Sequence, residues 1–536
     1  MTILSQDEQK NKEKSLLKKG VSLSALTLLS RILGLVREMT KARFLGTTYF
    51  SDAFGIAFMV PNLFRRLFAE NSISVAFIPT FRNHLEECTD DGGRKKTQDF
   101  LNATFTLVTF LTSIFVALGM IFTPQIIKIF FAENSAEAFN EAVILTRIMF
   151  PYLFVISLAA FFQGILNGLK IFSPSGFTPI LFNAIVVAST YGFSRFTKNP
   201  ARAMAIGVIL GGTVQAFFQL PFVLKNGWKL FFVPLKKSFT NEGTKKVLSL
   251  ILPTIIGMAG YQVNDIVSSA LATRAGEGIV SGLQYSLRLQ ELILGICAVT
   301  IGTVILPDLT GFAKRGNWEK FNDLLTQSIK IMALIAIPIT FYSLAMGRSI
   351  ISLIFSGGKF NDESVEMTKG IFSFHIAGLF FVAVNRIVSP AFYAQQNTKS
   401  PTIAGLINFG VNILTASLLV KKFGGKGIAF ALTFASFVNT IFLFVFLAHT
   451  KEIRVQKVVR ETFFYALKIL IFSVAASVPI FFMRNFLAEI FGGKNRIVSH
   501  GIPICITGII FAFIGIVLLF LSKDCILKSV IKKFRK

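Results

Sequence analysis

Apolar residues in this chain cluster in mostly apolar runs of about 20 positions or more, separated by short polar or Gly/Pro-containing stretches. That is the length a helix needs to cross about 30 Å of hydrocarbon at 1.5 Å per residue. The runs are continuous and do not alternate over about 10 residues, so they argue against the strands of a membrane barrel. The pattern predicts helices near 21–46, 53–81, 100–123, 140–168, 176–194, 202–224 and 247–273, then near 279–311, 324–346, 367–394, 402–420, 427–449, 461–483 and 501–522. The expected fold class is an all-α polytopic membrane protein with about fourteen transmembrane helices.

A weak internal repeat divides this series. Ala76-Phe77-Ile78-Pro79 ends the second run and Val304-Ile305-Leu306-Pro307 ends the eighth, and Thr178-Pro179 and Ser400-Pro401 occupy matching turns. Two six-helix halves in one membrane orientation, followed by an extra helix pair, account for both spacings. The expected organisation is a basic tail over 1–20, a first lobe over 21–230, a second over 231–450, and a final helix pair with a basic tail over 451–536.

Composition agrees with that reading. The chain is 53% hydrophobic and only 15% charged, with mean hydropathy +0.64, against about 25% charged residues in a soluble domain. This excludes a soluble enzyme, a disordered chain and a disulfide scaffold. The net charge of +27 does not call for nucleic acid, because no stretch is long enough to form a folded polar module that would bear it. The basic residues track the loops instead: with the N-terminus inside, 30 of them fall in inner segments and 13 in outer ones. That bias puts both termini in the cytoplasm. The outer loops are short, which leaves no sizeable external domain. Cys88, Cys297, Cys505 and Cys525 have no paired spacing for a disulfide framework or zinc site, and the N-terminus reads as a basic tail with no cleavable secretory signal.

The informative residues are charges inside apolar runs, where each costs roughly 2.5–3.5 kcal/mol on insertion scales. They are Arg31, Arg37, Glu38, Lys41 and Arg43 in the first run, then Asp52, Arg65, Arg66 and Glu70 before and within the second. Arg147, Asp265, Arg288, Glu291 and Arg386 follow in later runs. Some have a bland explanation. Lys41 and Arg43 lie near a helix end and are expected to reach the interface. Arg288 and Glu291 are one turn apart and can neutralise each other, as can Arg31 and Glu38, seven apart. Arg147 reads as a structural counter-ion. Arg65 and Arg66 point about 100° apart, so at most one faces a given cavity. After this pairing the first two helices and the eighth still carry excess positive charge. A wet cavity lined by guanidinium groups is an anion site, suited to phosphate or carboxylate. No catalytic signature accompanies it: there is no phosphate-binding Gly-rich loop, nucleophile elbow or metal-spaced cluster among the four histidines, and His375 reads as a packed helix residue. No metal and no cofactor are expected.

Ser30-Arg31-Ile32-Leu33-Gly34-Leu35-Val36-Arg37-Glu38, Asp52-Ala53-Phe54 and Val60-Pro61-Asn62-Leu63-Phe64-Arg65-Arg66-Leu67-Phe68-Ala69-Glu70 strongly resemble the MurJ (MviN) family, bacterial lipid II flippases of the MOP exporter superfamily. The resemblance continues through Tyr285-Ser286-Leu287-Arg288-Leu289, Gly302-Thr303-Val304-Ile305-Leu306-Pro307, Pro390-Ala391-Phe392-Tyr393 and Asn397-Thr398-Lys399-Ser400-Pro401, and so spans essentially the whole chain. It implies two lobes in a V around a central cationic cavity, with the last two helices lining a groove for the lipid tail. It further implies that Ser30, Arg31, Arg37, Arg65 and Arg288, with Arg386 where relatives often carry Lys, bind the substrate. Asp52, Glu70 and Glu38 would serve gating or lobe contacts. Glu38 stands where the family usually has Asp. An acidic sodium ligand of some relatives is matched by Ser268, with Asp265 one turn earlier, so sodium is not expected. The implied substrate is lipid II, an undecaprenyl-diphosphate-linked disaccharide-pentapeptide, moved by alternating access across the bacterial cytoplasmic membrane. Membrane lipids and the cell-wall synthesis machinery are the implied partners. The alternatives are a flippase for another polyprenyl-diphosphate-linked saccharide, a membrane-embedded polyprenyl-phosphate transferase, and a scaffold that binds lipid-linked precursor without moving it.

Overall fold

The computed structural model describes residues 6–70, 73–87, 91–131, 136–450, 452–493, 495–524 and 526–527, the side chains of 6–25, 68–70, 74, 252–261 and 296–304 excepted. The side chains of Glu70 and Cys297, the residues Cys88 and Cys525, and the outermost parts of both basic tails lie outside what is described. Cys505 is a free, exposed thiol.

Among the described residues every apolar run falls on helices, and the one β contact is an isolated bridge between Gly357 and Phe360. By chain contacts the protein divides into two units, Met1–Ile266 and Val267–Lys536.

The first unit contains α1 (Gln6–Leu45), α2 (Tyr49–Phe64), two wider π-helical turns, π1 (Arg65–Glu70) and π2 (Ile73–Phe77), and α3 (Ile78–Glu86). It continues with α4 (Asp91–Ile121), α5 (Thr123–Lys128), α6 (Ala136–Met149), α7 (Tyr152–Gly168), α8 (Ser173–Phe193), α9 (Pro200–Lys225) and α10 (Leu235–Thr240). Helix α11 (Glu242–Ala275) begins in this unit and runs past its boundary. Asn199 caps α9 by accepting the Arg202 amide at 3.1 Å, with Pro200 in the first turn, a combination that satisfies one orphan donor and removes another. Helix α9 packs closely on α8 because it carries glycines there. A Cβ on Gly207 would come within 2.9 Å of the Ser189 Cβ, and one on Gly211 within 2.8 Å of the Phe182 ring, so small residues allow the close approach that membrane helices rely on.

The second unit contains α12 (Ile279–Lys314), α13 (Trp318–Phe355), α14 (Asp362–Ala377), α15 (Leu379–Ala394), α16 (Lys399–Leu447), α17 (Val455–Phe491), π3 (Ile497–Gly501) and α18 (Ile502–Leu521). The runs expected at 402–420 and 427–449 fall on the single long α16, which kinks at Gly424, where φ 54 and ψ −133 suit glycine. Helices α14 and α15 are the halves of one expected run, bent by 41° at Gly378. Gly378 N still donates to His375 O at 3.2 Å across the break, and three other helices bring further donors to the last carbonyls of α14. Thr433 on α16 donates to Phe374 O at 2.7 Å, Gln290 on α12 donates to His375 O, and Thr340 on α13 donates to Ile376 O at 3.1 Å. An interrupted helix survives in an apolar layer only with such substitutes.

The last helices dock on α13 through two apolar clusters, one of Ala333, Ile337, Tyr465, Ile469 and Ile526, the other of Met346, Ala476, Ile480 and Phe511. Asp524 closes the arrangement. Its buried carboxylate accepts from Lys468 Nζ at 2.7 Å and from the amides of Ile526 and Leu527 at 2.9 and 3.1 Å. Among the described residues, eight helices are long and apolar enough to cross a membrane, or nine with the bent pair as one span. The chain is an all-α, multi-pass membrane protein.

Candidate functional site

Helix α1 carries Ser30, Arg31, Arg37 and Glu38, and α2 carries Asp52. Glu38 pairs with its neighbour Arg37 (Nη2 to Oε1, 2.7 Å) and not with Arg31. The Arg37 guanidinium also lies 5.6 Å from the Phe58 ring centre on α2 and 5.9 Å from that of Phe182 on α8. Flat, delocalised and weakly hydrated, a guanidinium tolerates such a place better than an ammonium would.

Lys41 departs from expectation. It does not reach out to the interface but is 2% exposed, with Nζ 5.9 Å from the Phe54 ring centre. Its charged neighbours are Glu38, Asp52 and Arg37, and Asp52 is itself buried. Two cations and two carboxylates thus balance locally, which is the condition for keeping a lysine away from water. Arg43 is exposed, as expected.

Ser30 and Arg31 are half-buried. Arg31 makes no hydrogen bond or ion pair among the described residues. Arg65 opens π1, and its Nε donates to Asn62 Oδ1 at 2.7 Å, one turn back on α2. Arg66 turns elsewhere and reaches Asp265 on α11 at 3.4 Å, the divergence expected of adjacent helical positions. The π turns widen the helix at this point, a distortion common where side chains must be re-aimed for function. Arg147 is held by a carbonyl, its Nε lying 3.4 Å from Met120 O.

In the second unit Arg288 and Glu291 pair at 3.5 Å, as their spacing suggested. The pairing is incomplete: Arg288 Nε is buried without a hydrogen-bond partner among the described residues. A clamp on the opposite side sets the rotation of α12. Ser286 Oγ and the buried His375 Nδ1 share a hydrogen bond of 2.6 Å, and Gln290 holds the His375 carbonyl. Positions 286 and 290 lie on one helical face, and position 288 lies roughly 200° around from 286. Holding that face against α14 therefore directs Arg288 away from α14. Arg386 on α15 is exposed. Sequence reading missed this clamp, the Lys41–Asp52 neighbourhood and Asn62. Of these, Asn62, three positions before Arg65, had a spacing that could have revealed it.

Ser268 Oγ accepts from Asn412 Nδ2 at 3.3 Å, and Asp265 is engaged by Arg66. The donors at that place are a neutral hydroxyl and a neutral amide, and no group of three or more metal-binding side chains occurs among the described residues.

The fold and these side chains define a class: multi-pass helical membrane proteins with guanidinium groups set into their apolar helices. The family model "Lipid II flippase MurJ" matches residues 41–496. A probable lipid II flippase MurJ of Treponema pallidum is 46% identical over 512 residues, covering 95% of this chain and 96% of that protein. One of Vibrio cholerae is 32% identical over 440 residues, covering 80% and 82%. A solved lipid II flippase MurJ in an inward closed conformation superposes with TM-score 0.76 at 25% identity, covering 94% of this chain and all of that one. The chain belongs to the lipid II flippase MurJ family. A multidrug resistance MATE family transporter of the MOP superfamily, 15% identical with TM-score 0.66 over 80% of this chain and 96% of its own, shares the fold.

Proposed function

We propose that this chain flips lipid II from the inner to the outer leaflet of the bacterial cytoplasmic membrane by alternating access, with both termini in the cytoplasm. The substrate is the undecaprenyl-diphosphate-linked disaccharide-pentapeptide. Arg31, Arg37, Arg65, Arg288 and Arg386, with Ser30, handle its anionic headgroup; Asp52, Glu38 and Glu70 hold or release these groups as the protein changes state. The observation that carries the reading is Arg31, a half-buried guanidinium with no acid of its own among the described residues, in a chain of this family. The partner it lacks is supplied by a phosphate, which a guanidinium binds with two parallel, charge-assisted bonds.

The physical problem is desolvation. A hydroxylated, charged headgroup cannot shed its hydration into hydrocarbon, so the protein must replace lost water with fixed donors. Arg288 offers one in its Nε, which has no hydrogen-bond partner among the described residues. An inside-negative potential does work of roughly 2.3 kcal/mol per charge per 100 mV, and so drives an anionic headgroup outward. The test is complementation of flippase-depleted cells, with lipid II exposure on the outer face as the readout. The parent chain should restore exposure, and Arg31→Ala, Arg65→Ala and Arg288→Ala, present in the membrane at parental levels, should not. Restoration by all three variants refutes the assignment of the site, and failure of the parent refutes the cargo.

A further inference from the structure

Between α9 and α11 the chain does something that the flipping of a headgroup does not require. Residues 229–233 run extended along α4, stitched to it through three polar side chains one turn apart. Lys229 N donates to Gln98 Oε1 at 3.2 Å, Phe231 N to Asn102 Oδ1 at 3.1 Å and Val233 N to Thr106 Oγ1 at 3.1 Å, while Gln98 Nε2 returns a bond to Lys229 O. The short helix α10 follows and packs on the same helix, with only Ser238 buried. The outward side of this strap is apolar and basic together: Phe231 is 59% exposed, Phe232 68%, Leu235 38% and Phe239 41%, beside the exposed lysines Lys229 and Lys236. Neither of those two ammonium groups meets a carboxylate among the described residues, whereas Lys237 is occupied by Asp99 at 3.3 Å.

The strap's place in the chain says what covers it. It starts just past Lys225, the end of an apolar helix long enough to span, and it lies on the first half of α4. That helix has 31 residues and is therefore about 46 Å long, more than the roughly 30 Å of hydrocarbon, so its polar first turns stand at a bilayer face. Aromatic and aliphatic side chains directed outward beside lysines match the boundary between acyl chains and headgroups. The backbone donors of the strap are already satisfied by α4, which lets the segment lie where water is scarce.

We propose that residues 229–239 form an interfacial docking surface for anionic phospholipid, with Phe231, Phe232, Leu235 and Phe239 seated among the upper acyl carbons and Lys229 and Lys236 on the headgroup phosphates. The strap thereby ties the segment between α9 and α11 to the leaflet on that side. This rests on the membrane reading of the fold and not on the identity of the cargo.

The experiment uses the full chain in nanodiscs with Phe232→Trp as the reporter, its signal taken as the gain over the parent, whose tryptophans are Trp228 and Trp318. Lipid brominated near the glycerol should quench the added signal, and aqueous acrylamide should not. With the total brominated fraction held constant, bromine on phosphatidylglycerol should quench more than bromine on phosphatidylcholine, and Lys229→Gln with Lys236→Gln should abolish that preference. A lysine near an anionic surface is worth about 1 kcal/mol, about a fivefold enrichment of anionic lipid per residue. Quenching by acrylamide without quenching by lipid overturns the proposal, and is the result a surface for a water-soluble protein partner would give. Equal quenching by the two brominated lipids in the parent also overturns it. Should Phe232→Trp not fold, Phe239→Trp is read in the same way. Outward lipid II exposure, followed in parallel, keeps a failure here distinct from a failure of the flipping assignment.

Discussion

The bend at Gly378 offers a quantitative test of how the second unit is held together. A methyl group at this position would sit 2.4 Å from Thr433 Oγ1 and 3.0 Å from both Thr433 Cβ and Cγ2. The same hydroxyl donates to Phe374 O at 2.7 Å, so it cannot rotate aside without abandoning a carbonyl already released by the helix break. Gly378→Ala therefore costs either that hydrogen bond, leaving the carbonyl unpaired at about 1–3 kcal/mol, or a shift of α16 against α14 at a similar cost. By either route a loss of about 1–3 kcal/mol is expected. Thr433→Ala removes the hydroxyl outright and should cost about 1–2 kcal/mol. With the obstructing oxygen gone, adding Gly378→Ala to Thr433→Ala should then cost under about 1 kcal/mol. The two substitutions should thus be non-additive by about 1–2 kcal/mol, the double variant resembling Thr433→Ala alone. Reversible denaturant unfolding in mixed micelles provides the measurement. If the two costs simply add, the hydroxyl is not what meets the new methyl group, and the account of the bend is wrong.

Two further substitutions probe other parts of the molecule. Lys41→Met should lower stability by about 2–4 kcal/mol in the same assay, because it takes a buried cation from beside Glu38 and Asp52, whereas Arg43→Gln should change it by under about 0.5 kcal/mol; equal effects would show that Lys41 is not held by that charge balance. Asp524 carries a pH signature. Burial pushes its carboxyl up, but the Lys468 bond and the amides of Leu527 and Ile526 outweigh burial and hold it below its ordinary value of 3.8. A depressed carboxyl contributes stability above its unfolded value and loses it as pH falls through the folded value. The stability gap between parent and Asp524→Asn should accordingly be constant above about pH 5 and shrink below about pH 4; a gap that does not change with pH would refute the ion pair.

Much was readable along the chain because a bilayer leaves few choices. Backbone groups in hydrocarbon must be bonded within the segment, so a long apolar run means a helix wherever it occurs, and among the described residues the predicted runs fall on helices. Short-range pairing was readable for a similar reason: Arg288 and Glu291 lie on one helical face whatever surrounds them. Even the bent run at 367–394 was legible as one apolar stretch, though not its interruption, since Gly378 becomes a hinge only when Thr433, Gln290 and Thr340 arrive from three other helices to bond the carbonyls of Phe374, His375 and Ile376 before it.

Which charge answers which was a different matter. Lys41 had the position of an interfacial residue, yet it is buried because Asp52, on the next helix, supplies the opposite charge. Arg66 finds Asp265 across 199 positions, and Ser286 finds His375 across 89. Helical periodicity sets the direction in which each side chain leaves its own axis. The neighbouring axis that it meets depends on how the helices pack, and for a buried charge the difference between an adjacent carboxylate and bare hydrocarbon amounts to several kcal/mol.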